Sequence, residues 1–290
     1  MTIDQVFNIV VVIFTVANLL AGGLESDLKE ATKSLLSPRL IVPTVFWGWI
    51  AGPAVAWLII QIFPLAAGPA AGLMLVSLAP IAPFLPIAAQ NAGGDMTFSV
   101  AYILLATVLT VVLMPVMAPI LIDGLTLDPV ALAKPLVMLV LLPLVIGVLI
   151  RTYKAPLAAT LFPVVKKTGG ISLLICLAMT LWIYGEEMLA TIGSFAPGAW
   201  IVFMVVMALL PYLFGLGLKQ NQRSVMALGM SSRNISAGFV AFFGITDPPK
   251  GMFVMVVLVV PLHVIIGLLA APKVFARLTA KAEATGEASR

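Results

Sequence analysis

The stretch GMSSRNISAGFVAFFG, residues 229–244, sets one arginine, one asparagine and three serines within a run otherwise apolar enough for a membrane. A guanidinium is a lasting cation whose five donors match a carboxylate, and neighbouring hydroxyl and amide groups extend such recognition with hydrogen bonds. Arg233, with Asn234, Ser231, Ser232 and Ser236, is therefore a candidate site for a small organic anion. A second stretch, LMLVSLAPIAPFLPIAAQ at residues 73–90, carries Pro80, Pro83 and Pro86 at three-residue spacing. Each proline removes a backbone donor and clashes with the preceding turn, so the helix is expected to break there and leave carbonyls free. Pro83 and Pro86 join the candidate site on that ground.

Other chemistry is thinly represented. Cys176 is the single cysteine, and the chain has no GxxxxGK[ST] phosphate loop, no HExxH and no CxxC. No metal, no cofactor and no enzymatic activity is expected. His263 follows Pro261 in an apolar run and reads as a packing residue. A pI near 9.3 raises nucleic acid as a partner, but the basic residues are spread over separate loops, and no nucleic-acid binding is expected.

The elements that must hold Arg233 follow from hydropathy. Hydrophobic residues make up 62% of the 290, charged residues 10%, and the mean hydropathy is +1.16, outside the range of a soluble domain of this size. A helix needs about 20 apolar residues to cross the hydrocarbon. Candidate spans are 6–24, 40–66, 68–90, 96–122, 130–150, 169–185, 196–218, 224–245 and 251–272. The expected fold is an all-α membrane protein with nine transmembrane helices. The first apolar run follows Asp4 rather than a basic segment and reads as a retained span.

With nine spans, 13 of the 16 Lys and Arg residues fall on one side: Lys29, Lys33, Arg39, Arg151, Lys154, Lys166, Lys167, Lys219, Arg223, Lys273, Arg277, Lys281 and Arg290. Lys134 and Lys250 fall on the other. Basic residues concentrate on the cytoplasmic face, so the N-terminus is expected outside and the C-terminus in the cytoplasm of a multi-pass protein of the cell (inner) membrane. Arg233 then lies near the bilayer midplane, where a cation costs about 2.5–3.5 kcal/mol to insert and nearly always faces the bundle interior or a cavity. All 12 acids fall in loops, tails or span ends. Asp95 comes closest to membrane depth, and its place before MTFSVA reads as a helix N-cap.

The two interrupted segments hold matching positions, third in spans one to four and third in spans six to nine, with the groups running in opposite directions. Both groups also open alike, on GGLESDLKEA and YGEEMLATI. Inverted repeats with a broken helix in each half are how many secondary transporters build a midplane site. The expected division is 1–122 for the first repeat, 123–275 for an extra helix and the second repeat, and 276–290 for a cytoplasmic tail. Residues 26–36 read as a short interfacial helix. Rival accounts stay open: a packed, kinked helix at the prolines, close helix contact through the small residues of span eight, and donation by Arg233 to the carbonyls freed by the break.

Three segments together resemble the bile acid and sodium symporter family: GGLESDLKEATKSLLSPRLIVPTVFWGWIAGPAVAWLI, PIAPFLPIAAQNAGGDMTFSVAYILLATVLTVVLMP and ALGMSSRNISAGFVAFFG. The resemblance implies a panel domain, a core domain and two broken core helices crossing at the substrate site. Ten-helix members have one more helix at the N-terminus. Sodium-coupled members place Ser and Asn at the first crossing, where this chain has Leu85 and Pro86. They carry a Glu where this chain has Gly229, a Gln where it has Arg233, and a Thr where it has Ile103. Ser99 and Asn234 match, which adds Ser99 to the candidate substrate site.

Exchanging a carboxylate for glycine while adding a cation opposes Na⁺ binding. The expected function is a secondary active transporter of a small organic anion, working by alternating access without the usual two sodium sites. Coupling to protons, or none, fits that reading. The alternatives are a sodium-coupled, bile-acid-like symporter with altered ligands, a membrane sensor that does not transport, and a passive anion channel.

Overall fold

Long apolar runs give this chain its helices, and glycine and proline decide where they end or bend. The computed structural model describes residues 2–26, 35–122, 128–262 and 271–284. The expected interfacial helix at 26–36, for the most part, and His263 lie outside the described residues.

Among the described residues six helices are long and apolar enough to cross a membrane. They are α1 (Ile3–Glu25), α2 (Pro38–Ile62), α5 (Met96–Leu121), α6 (Pro129–Tyr153), α7 (Ala155–Ala190) and α8 (Ala196–Leu213). Shorter helices complete the described chain: α3 (Ala67–Ser77), α4 (Leu85–Asn91), α9 (Gln220–Ser231), α10 (Ile235–Phe243), α11 (Met252–Leu262) and α12 (Ala271–Ala284). Among the described residues there is no strand. Leu58, Val116, Ile120, Leu174 and Trp182 stand exposed on the outside of the bundle, an apolar exterior suited to lipid rather than water.

The sixth expected span, 169–185, belongs to a 36-residue helix that starts at Ala155. Lys166 and Lys167 lower the local hydropathy, but lysine is a good helix former, so charge there does not end the helix.

Two long helices contain a widened turn. In α2 it covers Phe46–Ala51, and in α6 Val137–Leu141, each just before a proline, Pro53 and Pro143. The Gly52 and Leu142 amides reach five residues back, to Trp47 O and Val137 O. Widening the turn relieves the clash between a proline ring and the carbonyl four residues earlier. In α2 it also sets Gly48 against the first break, where an added Cβ would lie 3.3 Å from Pro80 Cγ.

Packing sorts the helices into two groups. α1 lies along α6 and α7, which also touch each other; α2, α3, α4, α5, α8, α9 and α11 pack chiefly among themselves, and α10 lies between the groups, against α1 and α6 as well as α3 and α11. Glycines set the closest approaches in each. A Cβ at Gly23 would come 2.3 Å from Leu144 O, and one at Gly147 2.5 Å from Leu20 O, so α1 and α6 meet backbone to backbone. In the other group Gly68 and Gly72, one turn apart on α3, leave no room for a Cβ against Lys250 and against Met252 and Met255 of α11. Small residues one turn apart are how membrane helices approach this closely.

Gly147→Ala is expected to lower the stability of the detergent-solubilised protein by about 1–3 kcal/mol, because main-chain atoms cannot step aside as a side chain can. Gly170, on α7, has nothing within 4 Å of its would-be Cβ, and Gly170→Ala is expected to leave the melting temperature equal or higher. Paired thermal melts check both.

Candidate functional site

The site begins where two helices fail. α3 ends at Ser77 and α4 starts at Leu85; between them Ile81 adopts φ +72°, the left-handed region that a β-branched residue rarely enters. α9 ends at Ser231 and α10 starts at Ile235. The two gaps lie against each other and form an isolated antiparallel bridge between Pro80 and Arg233. Asn234 N donates to Ala79 O at 2.8 Å, Ile81 N to Ser232 O at 3.2 Å, and Ala82 N to Ser232 Oγ at 3.1 Å. Backbone groups released by one break are thus satisfied by the other, the condition for irregular chain inside a membrane bundle.

At 1.5 Å per residue, the 12 residues of α9 and the 9 of α10 extend about 18 Å and about 13 Å on either side of Arg233. The residue sits deep in the bundle, with no exposure to bulk solvent. Its Cζ lies 4.6 Å from the centroid of the Phe203 ring on α8, a cation–π contact. Phe203 is braced edge-on by Trp200 at 5.5 Å, and Trp200 Nε1 donates to Met255 O at 3.0 Å. The guanidinium thus lies over an aromatic pair that is fixed to a third helix.

Beside Arg233 is a cavity of about 110 Å³, lined by Phe14 and Asn18 of α1, Leu173 of α7, Ala82, Pro83 and Phe84 of the first break, Ile235 and Ser236 of α10, and Val260 of α11. Its walls come from both packing groups. Ile235 and Ser236 are the first two residues of α10, so the partial positive charge of a helix N-terminus adds to that of Arg233. Ser236 Oγ is buried and has no hydrogen-bond partner among the described residues.

The eight residues singled out in the sequence separate into two kinds. Arg233, Ser236 and Pro83 line the cavity. Ser231 and Ser232 turn their hydroxyls to Leu228 O and Gly229 O, and Asn234 Oδ1 caps α10 by accepting from Ala237 N at 3.1 Å. Pro86 is buried in the first turn of α4. Ser99 is buried on α5 near its start, with no partner for its hydroxyl among the described residues. Ser231, Ser232 and Asn234 belong to the crossing and Pro86 follows it, and none of the five residues is part of the cavity wall. Asp95 caps α5, its Oδ1 accepting from Phe98 N at 2.9 Å.

Phe14, Asn18 and Leu173 were not legible as site residues. Asn18 had one signal, an amide within the apolar run VVIFTVANLLAG.

Gly229 is filled from across the bundle. A Cβ there would lie 2.4 Å from Tyr102 Cε1. The Tyr102 ring, fully buried on α5, occupies the space that a side chain at 229 would need, and its hydroxyl donates to Met226 O at 3.4 Å.

Compared with known proteins, residues 11–191 match the model of the family described as Sodium Bile acid symporter family, well over half of the chain. No curated protein matches.

Proposed function

The chain belongs to the Sodium Bile acid symporter family, and from that premise we propose that it carries a small organic anion across the bilayer by alternating access, with Arg233 holding the anionic group. It is a multi-pass membrane transport protein of a symporter family. The observation that carries the finer reading is the cavity beside Arg233, walled by α1 and α7 on one side and by both helix breaks on the other. A site between two groups of helices is open to either face of the membrane as one group rocks against the other.

In this reading α1, α6 and α7 form the panel and the remaining spans the core. The α3–α4 and α9–α10 pairs, with α11, supply the three crossings beyond the six long helices, making nine. Residues 1–122 are the first inverted repeat, 123–275 the extra helix and the second repeat, and 276–290 a cytoplasmic tail. The N-terminus lies outside and the C-terminus inside a cell membrane, as the basic residues favour. Arg233, Ser236 and Pro83 contact the substrate, while Ser231, Ser232, Asn234, Pro86 and Ser99 maintain the crossing.

Cavity size argues for a small substrate. Sites for drug-sized ligands run to about 300–1,000 Å³, against about 110 Å³ here.

Sodium is the point of divergence within the family. Leu85, Pro86 and Ile103 offer no side-chain oxygen, Gly229 has no carboxylate, and Tyr102 fills the space beside it. A fixed cation nearby further disfavours a second one. Transport therefore runs without the usual sodium pair. In proteoliposomes, replacing Na⁺ by K⁺ on both sides is expected to change the initial uptake of labelled small monocarboxylates by less than about twofold. A loss of tenfold or more would favour sodium coupling through relocated ligands instead. Ligand-dependent stabilisation without any uptake would identify a sensor.

A further inference from the structure

Asn18 is the one polar side chain that the first helix contributes to the cavity. Resting on the anion site proposed above, we infer that Asn18 is the second polar contact of that site, and that the substrate is a small carboxylate bearing a hydrogen-bond donor such as a hydroxyl.

The amide is oriented by its surroundings. Asn18 Nδ2 donates to Phe14 O at 2.8 Å and to Gly169 O on α7 at 3.4 Å. A carbonyl only accepts, so the nitrogen must face these two oxygens, and Oδ1 is the atom that remains to bond a ligand. Gly169 is fitted to this arrangement: a Cβ there would come 3.0 Å from Asn18 Nδ2 and 3.1 Å from Cγ. The bonds to Phe14 O and Gly169 O use only the nitrogen end of the amide, and a bridge between helices of this kind needs no oxygen.

The polar groups of the cavity then sort by what they can bind. Arg233 only donates and selects a carboxylate. Asn18 Oδ1 only accepts and selects a hydroxyl or N–H. Ser236 Oγ, buried and without a partner among the described residues, serves either end of the ligand. A plain fatty acid of the same length satisfies Arg233 and leaves the Asn18 oxygen dehydrated without a partner, so the site discriminates against it. Asn18 stands on the panel side and Arg233 on the core side, so only a substrate carrying both groups bridges the two bodies that rock against each other.

The test is initial uptake by the purified full chain in proteoliposomes of two labelled pairs, lactate against propionate and 3-hydroxybutyrate against butyrate. The wild type is expected to favour the hydroxylated member by about tenfold. Asn18→Leu is expected to bring that ratio to about one, chiefly by lowering uptake of the hydroxylated member of each pair. Gly169→Ala, which pushes on the Asn18 amide without changing it, is expected to reduce the ratio part of the way; it carries the test if Asn18→Leu does not reach the membrane. A hydroxyl preference that survives in both variants, or equal uptake of each pair by the wild type, overturns the inference and leaves the Arg233 anchor standing. Uptake that persists in Arg233→Ala with the Asn18 effect intact overturns the anchor alone, and failure of the wild type to take up any of the four acids counts against both.

Discussion

Arg233→Ala is expected to reduce small-anion uptake by at least about a hundredfold, the loss that follows from removing one partner of a buried charge pair worth about 2–5 kcal/mol. The fold should survive. Arg233 side-chain burial is costly in a bilayer, and the main-chain bridge that joins the two breaks uses backbone atoms of Ala79, Ile81, Ser232 and Asn234, which the substitution leaves in place. Deleting the cation removes an insertion cost of about 2.5–3.5 kcal/mol and forfeits the stack on Phe203, worth about 2 kcal/mol when desolvated. The two act in opposite directions, so the melting temperature should fall far less than uptake does.

A purely structural arginine, donating to main-chain carbonyls, would give the opposite pattern: marked destabilisation with residual transport in whatever protein folds. Arg233→Lys separates charge from shape. Lysine keeps the charge but lacks the flat fork that stacks on Phe203 and grips a carboxylate in two places, and an intermediate loss of about tenfold is expected. Undiminished uptake by Arg233→Ala would remove the anchor from the mechanism.

The second large effect concerns Gly229. Gly229→Ala drives a methyl to within 2.4 Å of Tyr102 Cε1. Tyr102 cannot retreat easily, since it is fully buried and packed on Phe98 at 5.7 Å. Overpacking of a tight core costs about 1–3 kcal/mol, and the longer Gly229→Glu is expected to exceed that and to accumulate poorly in the membrane. Combined with Tyr102→Ala, which vacates the space, the two losses should fail to add by about 2 kcal/mol, the signature of residues in direct contact. The rescued double variant should fold yet take up little anion, because a carboxylate four residues before Arg233, next to the break, competes for the guanidinium. If Gly229→Glu alone matched the wild type in thermal melts and made uptake depend on Na⁺, the space beside residue 229 would not be closed, and the sodium-independent mechanism would fall.

These two residues also mark how far a linear reading reaches. That Arg233 needs a protected environment is legible from the run around it, because the cost of a midplane cation does not depend on which helix shelters it. That the chain breaks near Pro80 is likewise local, since a proline disrupts a helix wherever it stands. The serines and Asn234 were legible as polar, but their destination was not. Short hydroxyl and amide side chains readily bond their own backbone, and Ser231, Ser232 and Asn234 do so here, which leaves Ser236 beside the cavity. Gly229 was visible as a missing carboxylate, whereas Tyr102, 127 positions earlier, gave no sign that it had taken the space.

By itself, then, the order of residues determined the apolar helices, the two breaks and the one deep cation, because hydropathy, helix propensity and the missing proline N–H are properties of a residue and its nearest neighbours. Only the tertiary structure decided that the breaks satisfy each other, that Phe203 holds the guanidinium, and that residues 14, 18, 83, 173 and 233 wall one cavity. Those outcomes depend on the rotation and depth at which helices pack, set by backbone contacts such as Gly23 on Gly147, and no local preference encodes them.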